Sequence, residues 1–151
     1  MKLSANFSLA EAIKSQTAVR NGIDNTPSAS EIEALKKVAE NILQPVRDHY
    51  GKPFSPSSWY RCADLCVAIG SKTTSQHAKG QAADFEVPGV PNIELARWIE
   101  ANLDFDQLIL EHYSPNDPAA GWIHCSYVGP GQNRKNVLKY DGNSYTPSLP
   151  S

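Results

Sequence analysis

The sequence predicts an α+β domain in which N-terminal helices pack on a small antiparallel sheet. Apolar residues recur with helical period in the first fifty residues, whereas short alternating segments joined by hairpin-type loops dominate from residue 81 onward. The 151 residues suffice for one hydrophobic core but not for two, and no linker or internal repeat divides them. We therefore expect one domain over residues 1–151, with a core from about 7 to 140 and a loose tail over 141–151.

Capping boxes and periodicity predict the helices. Two Ser-x-x-Glu boxes, starting at Ser8 and Ser28, mark the N-termini of a short and a longer helix. In the longer helix Pro45 should introduce a kink, and Gly51 should mark the end. Two further helices are predicted over residues 63–69 and 92–102.

Alternation of apolar and polar residues predicts the strands, over residues 81–87, 105–111, 122–128 and 136–140. On the first strand Ala83, Phe85 and Val87 share an apolar face, which should point to the core. Asp84 should then point to the opposite face of the sheet.

Charge and hydropathy exclude several classes of protein. The formal net charge is −2 and no block of Lys or Arg occurs, so we expect no nucleic-acid partner. No apolar segment is long enough to span a bilayer, and residues 1–6 lack the apolar core of a signal peptide. These features predict synthesis in the cytoplasm without a signal peptide, and no stable insertion in a membrane. We also expect a monomer.

The three cysteines favour free thiols rather than a disulfide framework. Cys62, Cys66 and Cys125 are odd in number, and no second Cys/His pair completes a zinc knuckle. We expect all three to be reduced and mostly buried.

Two histidines and one aspartate form a candidate metal site. His77 precedes Asp84 by seven residues, and Gly80 permits the sharp turn that would let both side chains converge. On the strand at 122–128, alternation places His124 on one face and Cys125 on the other, so Cys125 is a poor ligand candidate. Two imidazoles and one carboxylate, with a fourth position open to water, are typical of catalytic zinc sites. Either motif alone would be equally compatible with a packed histidine or a turn-capping aspartate.

The same segments resemble a known family of zinc peptidases. The pattern Ser75-x-His77-x-x-Gly80-x-Ala82-x-Asp84, followed by Trp122-Ile123-His124-Cys125-Ser126, is similar to the zinc D-alanyl-D-alanine carboxypeptidases and L-alanyl-D-glutamate endopeptidases. This group includes phage endolysins, vancomycin-resistance dipeptidases and hedgehog domains. The resemblance extends from about Phe7 to Tyr140, and residues 15–18 and 22–27 are similar to the opening of phage-associated members.

The resemblance implies roles for five residues. His77, Asp84 and His124 would be the ligands of a zinc ion. Arg61, in the segment Trp59-Tyr60-Arg61, would bind a substrate carboxylate or the developing oxyanion, a task that suits a planar and always charged fork. Ser75 is a candidate substrate contact, although it is equally compatible with a simple loop hydroxyl.

The general base is less clearly marked. Dipeptidase-like members carry an acidic residue three positions before the last histidine, where this chain has Gly121. Hedgehog-like and some phage members resemble this chain in placing a glutamate at the end of the preceding strand, which here is Glu111. A hairpin between the two strands would bring Glu111 beside His124. Asp117 and then Glu86 are the reserve candidates.

These features predict metal-assisted hydrolysis of an amide bond. The resemblance implies that the substrate is a peptidoglycan stem peptide, cut before a terminal D-alanine or between L-alanine and D-glutamate. It further favours a phage or prophage cell-wall lysin that reaches the wall after the membrane is permeabilised. Two alternatives stay open: a non-catalytic zinc-containing binding module, and a cytoplasmic enzyme that cleaves D-alanyl-D-alanine or recycled muropeptides.

Overall fold

The protein, described by a computed structural model over residues 1–117 and 119–150, is an α+β domain. The α-helices are α1 (Leu9–Ile13), α2 (Gln16–Arg20), α3 (Ala29–Val38), α4 (Gln44–Tyr50), α5 (Ala63–Ala68) and α6 (Asn92–Asn102). A π-helical turn (Ala39–Leu43) joins α3 to α4, and a 3-10 turn (Gln76–Lys79) precedes the first strand. The strands are β1 (Ala82–Phe85), β2 (Gln107–Glu111), β3 (Trp122–Ser126), β4 (Asn136–Tyr140) and β5 (Tyr145–Thr146).

Both predicted capping boxes are present. The Ser8 hydroxyl accepts the backbone N–H of Glu11, and the Glu11 carboxylate accepts the N–H of Ser8 in return. Ser28 and Glu31 make the same reciprocal pair at the start of α3. Helix α2 was not predicted, because its five residues are too few to show a helical period.

Pro45 is accommodated by the π-helical turn that precedes it. Proline has no N–H to donate to the carbonyl four residues earlier, so the regular hydrogen-bond ladder must break at this point. The N–H of Gln44 bonds instead to the carbonyl of Ala39, five residues back. The helix then continues to Gly51, whose φ of 64° ends it as predicted.

The five strands form one sheet in the order β1-β3-β2-β4-β5. The predicted α+β class is confirmed, but the sheet is mixed, because β4 runs parallel to β2 while the other pairs are antiparallel. The reason lies in the strand order. Strand β1 already occupies the outer side of β3, so β4 adds beside β2. The short segment after β3 leads into β4 at the same end of the sheet where β3 finishes. Strand β4 therefore runs antiparallel to β3 and parallel to β2.

The segment after Tyr140, expected to be loose, contains a short strand. Tyr145 pairs with Tyr140 across the β4–β5 ladder. Closer to the C-terminus, a guanidinium N–H of Arg97 in α6 donates to the carbonyl of Pro150 at 2.7 Å. The packed part of the chain therefore extends past residue 140.

The helices cover one face of the sheet and leave the other for the site. Helix α6 packs on β2 and β3, and α3 packs on β1. The side chains on the covered face are buried in the core; they include Phe85, Leu108, Leu110, Ile123 and Cys125. None of the helices in the described ranges combines the length and apolar character that a membrane crossing requires.

The described cysteines are free thiols, as predicted. Cys66 and Cys125 are buried, and Cys62 is half-buried. Burial raises the pKa of the Cys125 thiol, since a thiolate would be poorly solvated in the core.

Candidate metal centre

Three elements bring the predicted metal ligands together. His77 lies in the 3-10 turn, Asp84 on β1 and His124 on β3, where Asp84 and His124 are direct cross-strand partners. Gly80 closes the 3-10 turn with a φ of 74°. A Cβ at Gly80 would lie 2.7 Å from the carbonyl oxygen of Glu31, so this tight turn accepts only glycine without rearrangement.

The His77 ring is held in one orientation and one tautomer. Its Nδ1 lies 2.7 Å from the carbonyl oxygen of Trp59, which can only accept a hydrogen bond, so Nδ1 carries the proton. Nε2 is therefore left with a free lone pair, 3.3 Å from Oδ1 of Asp84. A backbone carbonyl that orients an imidazole from behind is the usual arrangement around metal-binding histidines.

Two of the distances between the candidate ligand atoms are close to those expected around a zinc ion. Nδ1 of His124 lies 3.0 Å from the same Oδ1 of Asp84, and one ligand atom of each residue falls within 4.8 Å of the others. Atoms bound at ~2.0–2.1 Å to a tetrahedral zinc are about 3.3 Å apart. The donor set of two imidazoles and one carboxylate also suits that ion.

Asp84 and His77 have the charge states that metal binding requires. Burial alone would raise the pKa of the Asp84 carboxyl, but the hydrogen bond from His124 and the nearby His77 ring outweigh burial and lower that pKa below the usual range. Burial lowers the pKa of His77, with the nearby Asp84 carboxylate opposing that effect. The centre therefore presents an ionised carboxylate and a neutral His77 imidazole near neutral pH.

The three residues line an open cleft of about 1000 Å³ that also contains Arg61, Ser75 and Glu111. Arg61 is half-buried just before α5, and its backbone N–H donates to the carbonyl of His77 at 3.2 Å. Its side chain forms no ion pair with a described residue, and its buried Nε has no hydrogen-bond partner among them. A guanidinium in this condition is available to an anionic ligand.

Ser75 caps the turn that carries His77. Its hydroxyl oxygen accepts the backbone N–H of His77 at 3.2 Å, and the residue is half-buried at the cleft wall. The hydroxyl proton is still free to donate, so the cap and a ligand contact are compatible.

Glu111 ends β2 opposite Trp122 of β3, and both side chains line the cleft. Burial raises the pKa of the Glu111 carboxyl; the nearby His124 opposes this shift, and the Asp84 carboxylate adds to it. The predicted hairpin is present and brings Glu111 into the same cleft as His124.

The other candidate bases lie elsewhere. Asp117 accepts the N–H of Ala119 at 3.0 Å within its own loop. Glu86 accepts an N–H of the Asn92 side chain at 3.0 Å, and it lines a separate cavity of about 500 Å³. At Gly121, with a φ of 74°, an added Cβ would overlap the carbonyl oxygen of Glu111. The position that is acidic in dipeptidase-like proteins therefore has no room for a side chain here.

Several residues in the cleft wall, or packed behind it, had no signal in the sequence. His112 has a φ of 50° and stacks on Trp122 with ring centroids 4.9 Å apart, so it supports the wall beside Glu111. Arg134 and Tyr145 also line the cleft, from the segments that follow β3. No local motif marks them, because they reach the cleft only through the pairing of β4 and β5.

Fold and site together define a protein with a candidate metal centre: an α+β scaffold with a His-Asp-His group that could hold a metal, in an open cleft. A family model described as Peptidase M15 matches residues 5–126, which is most of the chain. The protein therefore belongs to the Peptidase M15 family, whose members depend on zinc. A search of curated proteins found no match.

Proposed function

We propose that this protein is a zinc peptidase that hydrolyses peptidoglycan stem peptides and acts as a phage or prophage cell-wall lysin. The enzyme would cleave either the peptide bond before a terminal D-alanine or the peptide bond between L-alanine and D-glutamate. The proposal is supported by the family, whose members act on peptidoglycan-like substrates, and by the phage-like segments at 15–18 and 22–27.

The observation that carries the proposal is the grouping of five side chains in one cleft. His77, Asp84 and His124 converge on one point, and Glu111 and Arg61 line the same cavity. Amide hydrolysis needs a metal site, a proton acceptor and a group that stabilises developing negative charge. One residue or group in this cleft suits each of these tasks.

When bound by His77, Asp84 and His124, zinc supplies a Lewis acid that lowers the pKa of water from 15.7 to about 7 and polarises the scissile carbonyl. Glu111 accepts the proton of the attacking water and passes it to the leaving amine. Its raised pKa suits both halves of this transfer, because a partly buried carboxyl holds the proton more readily than a solvated one. Arg61 binds a substrate carboxylate or the oxyanion that forms as water attacks. The hydroxyl of Ser75 donates to the bound peptide backbone.

The test is digestion of purified sacculi, followed by mass spectrometry of the released muropeptides. We expect one zinc per chain by metal analysis and a single type of cleaved peptide bond. His124→Ala should lose both zinc and cleavage, since the variant removes one of three ligands. A zinc-loaded protein that leaves sacculi and soluble stem peptides intact would contradict the proposal. Cleavage of free D-alanyl-D-alanine alone would instead indicate a dipeptidase.

A further inference from the structure

A buried ion pair forms part of the cleft outside the metal centre. Asp106, just before β2, is only 3% exposed, whereas the side chain of its partner Arg134 is 59% exposed and lines the cleft. Both residues line the cleft, and the guanidinium is the more accessible partner of the pair.

Asp106 holds the Arg134 guanidinium in a fixed plane. Nη2 donates to Oδ2 at 2.8 Å and Nε donates to Oδ1 at 3.1 Å, while the backbone N–H of Arg134 also donates to Oδ1, at 3.0 Å. The side-chain amide of Gln76 donates to Oδ2 at 2.9 Å and links the pair to the turn that carries His77. Because Asp106 already holds one edge of the guanidinium, the Arg134 side chain loses little further conformational entropy when it binds a ligand.

The guanidinium keeps unused donors. It has five N–H groups, of which Asp106 engages the Nε–H and one at Nη2. Within residues 1–117 and 119–150, no other side chain or carbonyl accepts a hydrogen bond from it. Three N–H groups therefore remain for an acceptor in the cleft.

The other charges in the cleft favour an anionic acceptor. Arg61, Lys72 and Lys79 line the same cavity, and none of them forms an ion pair with a described residue. Asp84 faces the two histidines and Asp106 is paired with Arg134, which leaves Glu111 as the lining carboxylate with no ionic partner in the described chain. A ligand that carries carboxylates would be attracted to this cavity.

We propose that Arg134 is a second carboxylate-binding residue, so that the enzyme selects substrates with two free carboxylates, one for Arg61 and one for Arg134. This inference rests on the proposed function. Arg134 lies beyond residue 126, where the family match ends, so the selectivity would belong to the C-terminal segment of this chain. Arg134 is a specificity residue with no part in the proton transfers at Glu111.

The experiment compares stem peptides in which each free carboxylate in turn is replaced by a carboxamide. A carboxamide keeps the shape but loses the charge, and a hydrogen bond to a charged group is worth about 1.5–3 kcal/mol. Each of two amidations should therefore raise the KM of the wild-type enzyme roughly 10- to 100-fold, with a smaller effect on kcat, and one of the two removes the carboxylate that Arg134 binds. In Arg134→Gln the KM for the free carboxylate should rise by the same factor, so that this amidation no longer matters. Arg134→Lys keeps the charge but not the planar pair of donors. Its KM for the free carboxylate should lie between those of the wild type and Arg134→Gln.

Arg134→Gln leaves Asp106 buried without its ionic partner, which would reduce stability. The double variant Asp106→Asn/Arg134→Gln removes that unpaired charge and should show the same loss of discrimination. If the folded variants discriminate the amidated peptide as well as the wild type does, the role of Arg134 is refuted while the proposed function stands. If the wild-type enzyme cleaves none of the peptides, the proposed function itself fails, and the inference with it.

Discussion

The existing hydrogen bonds of each carboxylate decide which one is free to accept a proton. Asp84 is engaged by two histidines, Asp106 by an arginine and a glutamine, and Asp117 by its own loop. Glu86 accepts from Asn92. Of the acidic residues that line the metal cleft, Glu111 is the one without a hydrogen bond from a described residue. This comparison supports the proposal that Glu111 is the base, in addition to the motif.

Glu111→Gln should retain zinc and lose activity. Glu111 is not a member of the His-Asp-His group, so metal content should match the wild type. An amide cannot take the proton of the attacking water, so kcat should fall roughly 10²–10⁴-fold. Metal analysis and peptide hydrolysis measured on the same samples test both statements.

Asp117→Asn is the matched control, since it makes the same acid-to-amide change in the loop between β2 and β3. It should keep nearly full activity, because Asp117 bonds to its own loop and does not line the cleft. The opposite result, an active Glu111→Gln enzyme beside an inactive Asp117→Asn enzyme, would move the base to that loop.

The raised pKa of Glu111 predicts the acidic limb of the pH–rate profile. Burial opposes ionisation of this carboxyl, and the base works only when ionised. Activity should therefore be lost as the pH falls through the pKa of Glu111, which burial raises and the charge of a bound zinc ion lowers. The profile of kcat/KM, with bound zinc measured at each pH, tests this. If kcat/KM falls over the same pH range in which zinc is lost, the fall reflects protonation of the metal ligands rather than of Glu111.

At the scale of the elements, local signals explain most of what the sequence predicted correctly. The capping boxes at Ser8 and Ser28 are local hydrogen-bond patterns, and α6 is found over the predicted residues 92–102. Helix α2, the π-helical turn before Pro45 and the parallel placement of β4 depend on short length or on distant partners. Periodicity in the sequence carries no information about those features.

The candidate site also has a part that local motifs predict and a part that depends on distant residues. His77 and Asp84 lie in one short motif, and alternation on β3 orients His124, so the metal centre was predictable. The Asp106–Arg134 pair joins residues 28 positions apart and forms only when the sheet is complete. Its place in the cleft was therefore not predictable from either residue alone.

The turn before β3 yields a prediction about Gly121. Gly121→Ala should destabilise the protein by at least about 1–3 kcal/mol, because the φ of 74° is unfavourable for alanine and the new Cβ would overlap the Glu111 carbonyl. Relief of that overlap would shift Glu111, so kcat should also fall. Thermal or denaturant unfolding and peptide hydrolysis measure the two effects.

Gly131→Ala is the control for the overlap. Gly131 has the same φ of 74°, but a Cβ there would have no atom within 4 Å. In this variant the free energy of unfolding should fall through backbone strain alone, and the activity should stay close to that of the wild type. Equal losses of stability in the two variants would show that contact with Glu111 is not the cause.

For the molecule as a whole, the helices and the C-terminal strands have separate tasks. Helices α3 and α6 cover the core face of the sheet, while the opposite face holds the candidate metal centre. The chain after residue 126 extends the sheet beyond β2 and adds Arg134, which precedes β4, and Tyr145 of β5 to the cleft. The part of the chain matched by the family model thus contains the proposed chemistry, and the remainder completes the cavity.

The pairing of β4 with β2 has a consequence for shortened forms of the chain. In a fragment of residues 1–126, the strand that carries Glu111 would become an open sheet edge, with unpaired N–H and C=O groups along Gln107–Leu110. Such edges template pairing between molecules, so this fragment should self-associate and aggregate. A fragment of residues 1–141 keeps β4 and should remain dispersed at the same concentration, as measured by light scattering. If the 1–126 fragment is monomeric, β4 is not needed to prevent association through the edge of β2. Its remaining role would then be to shape the cleft.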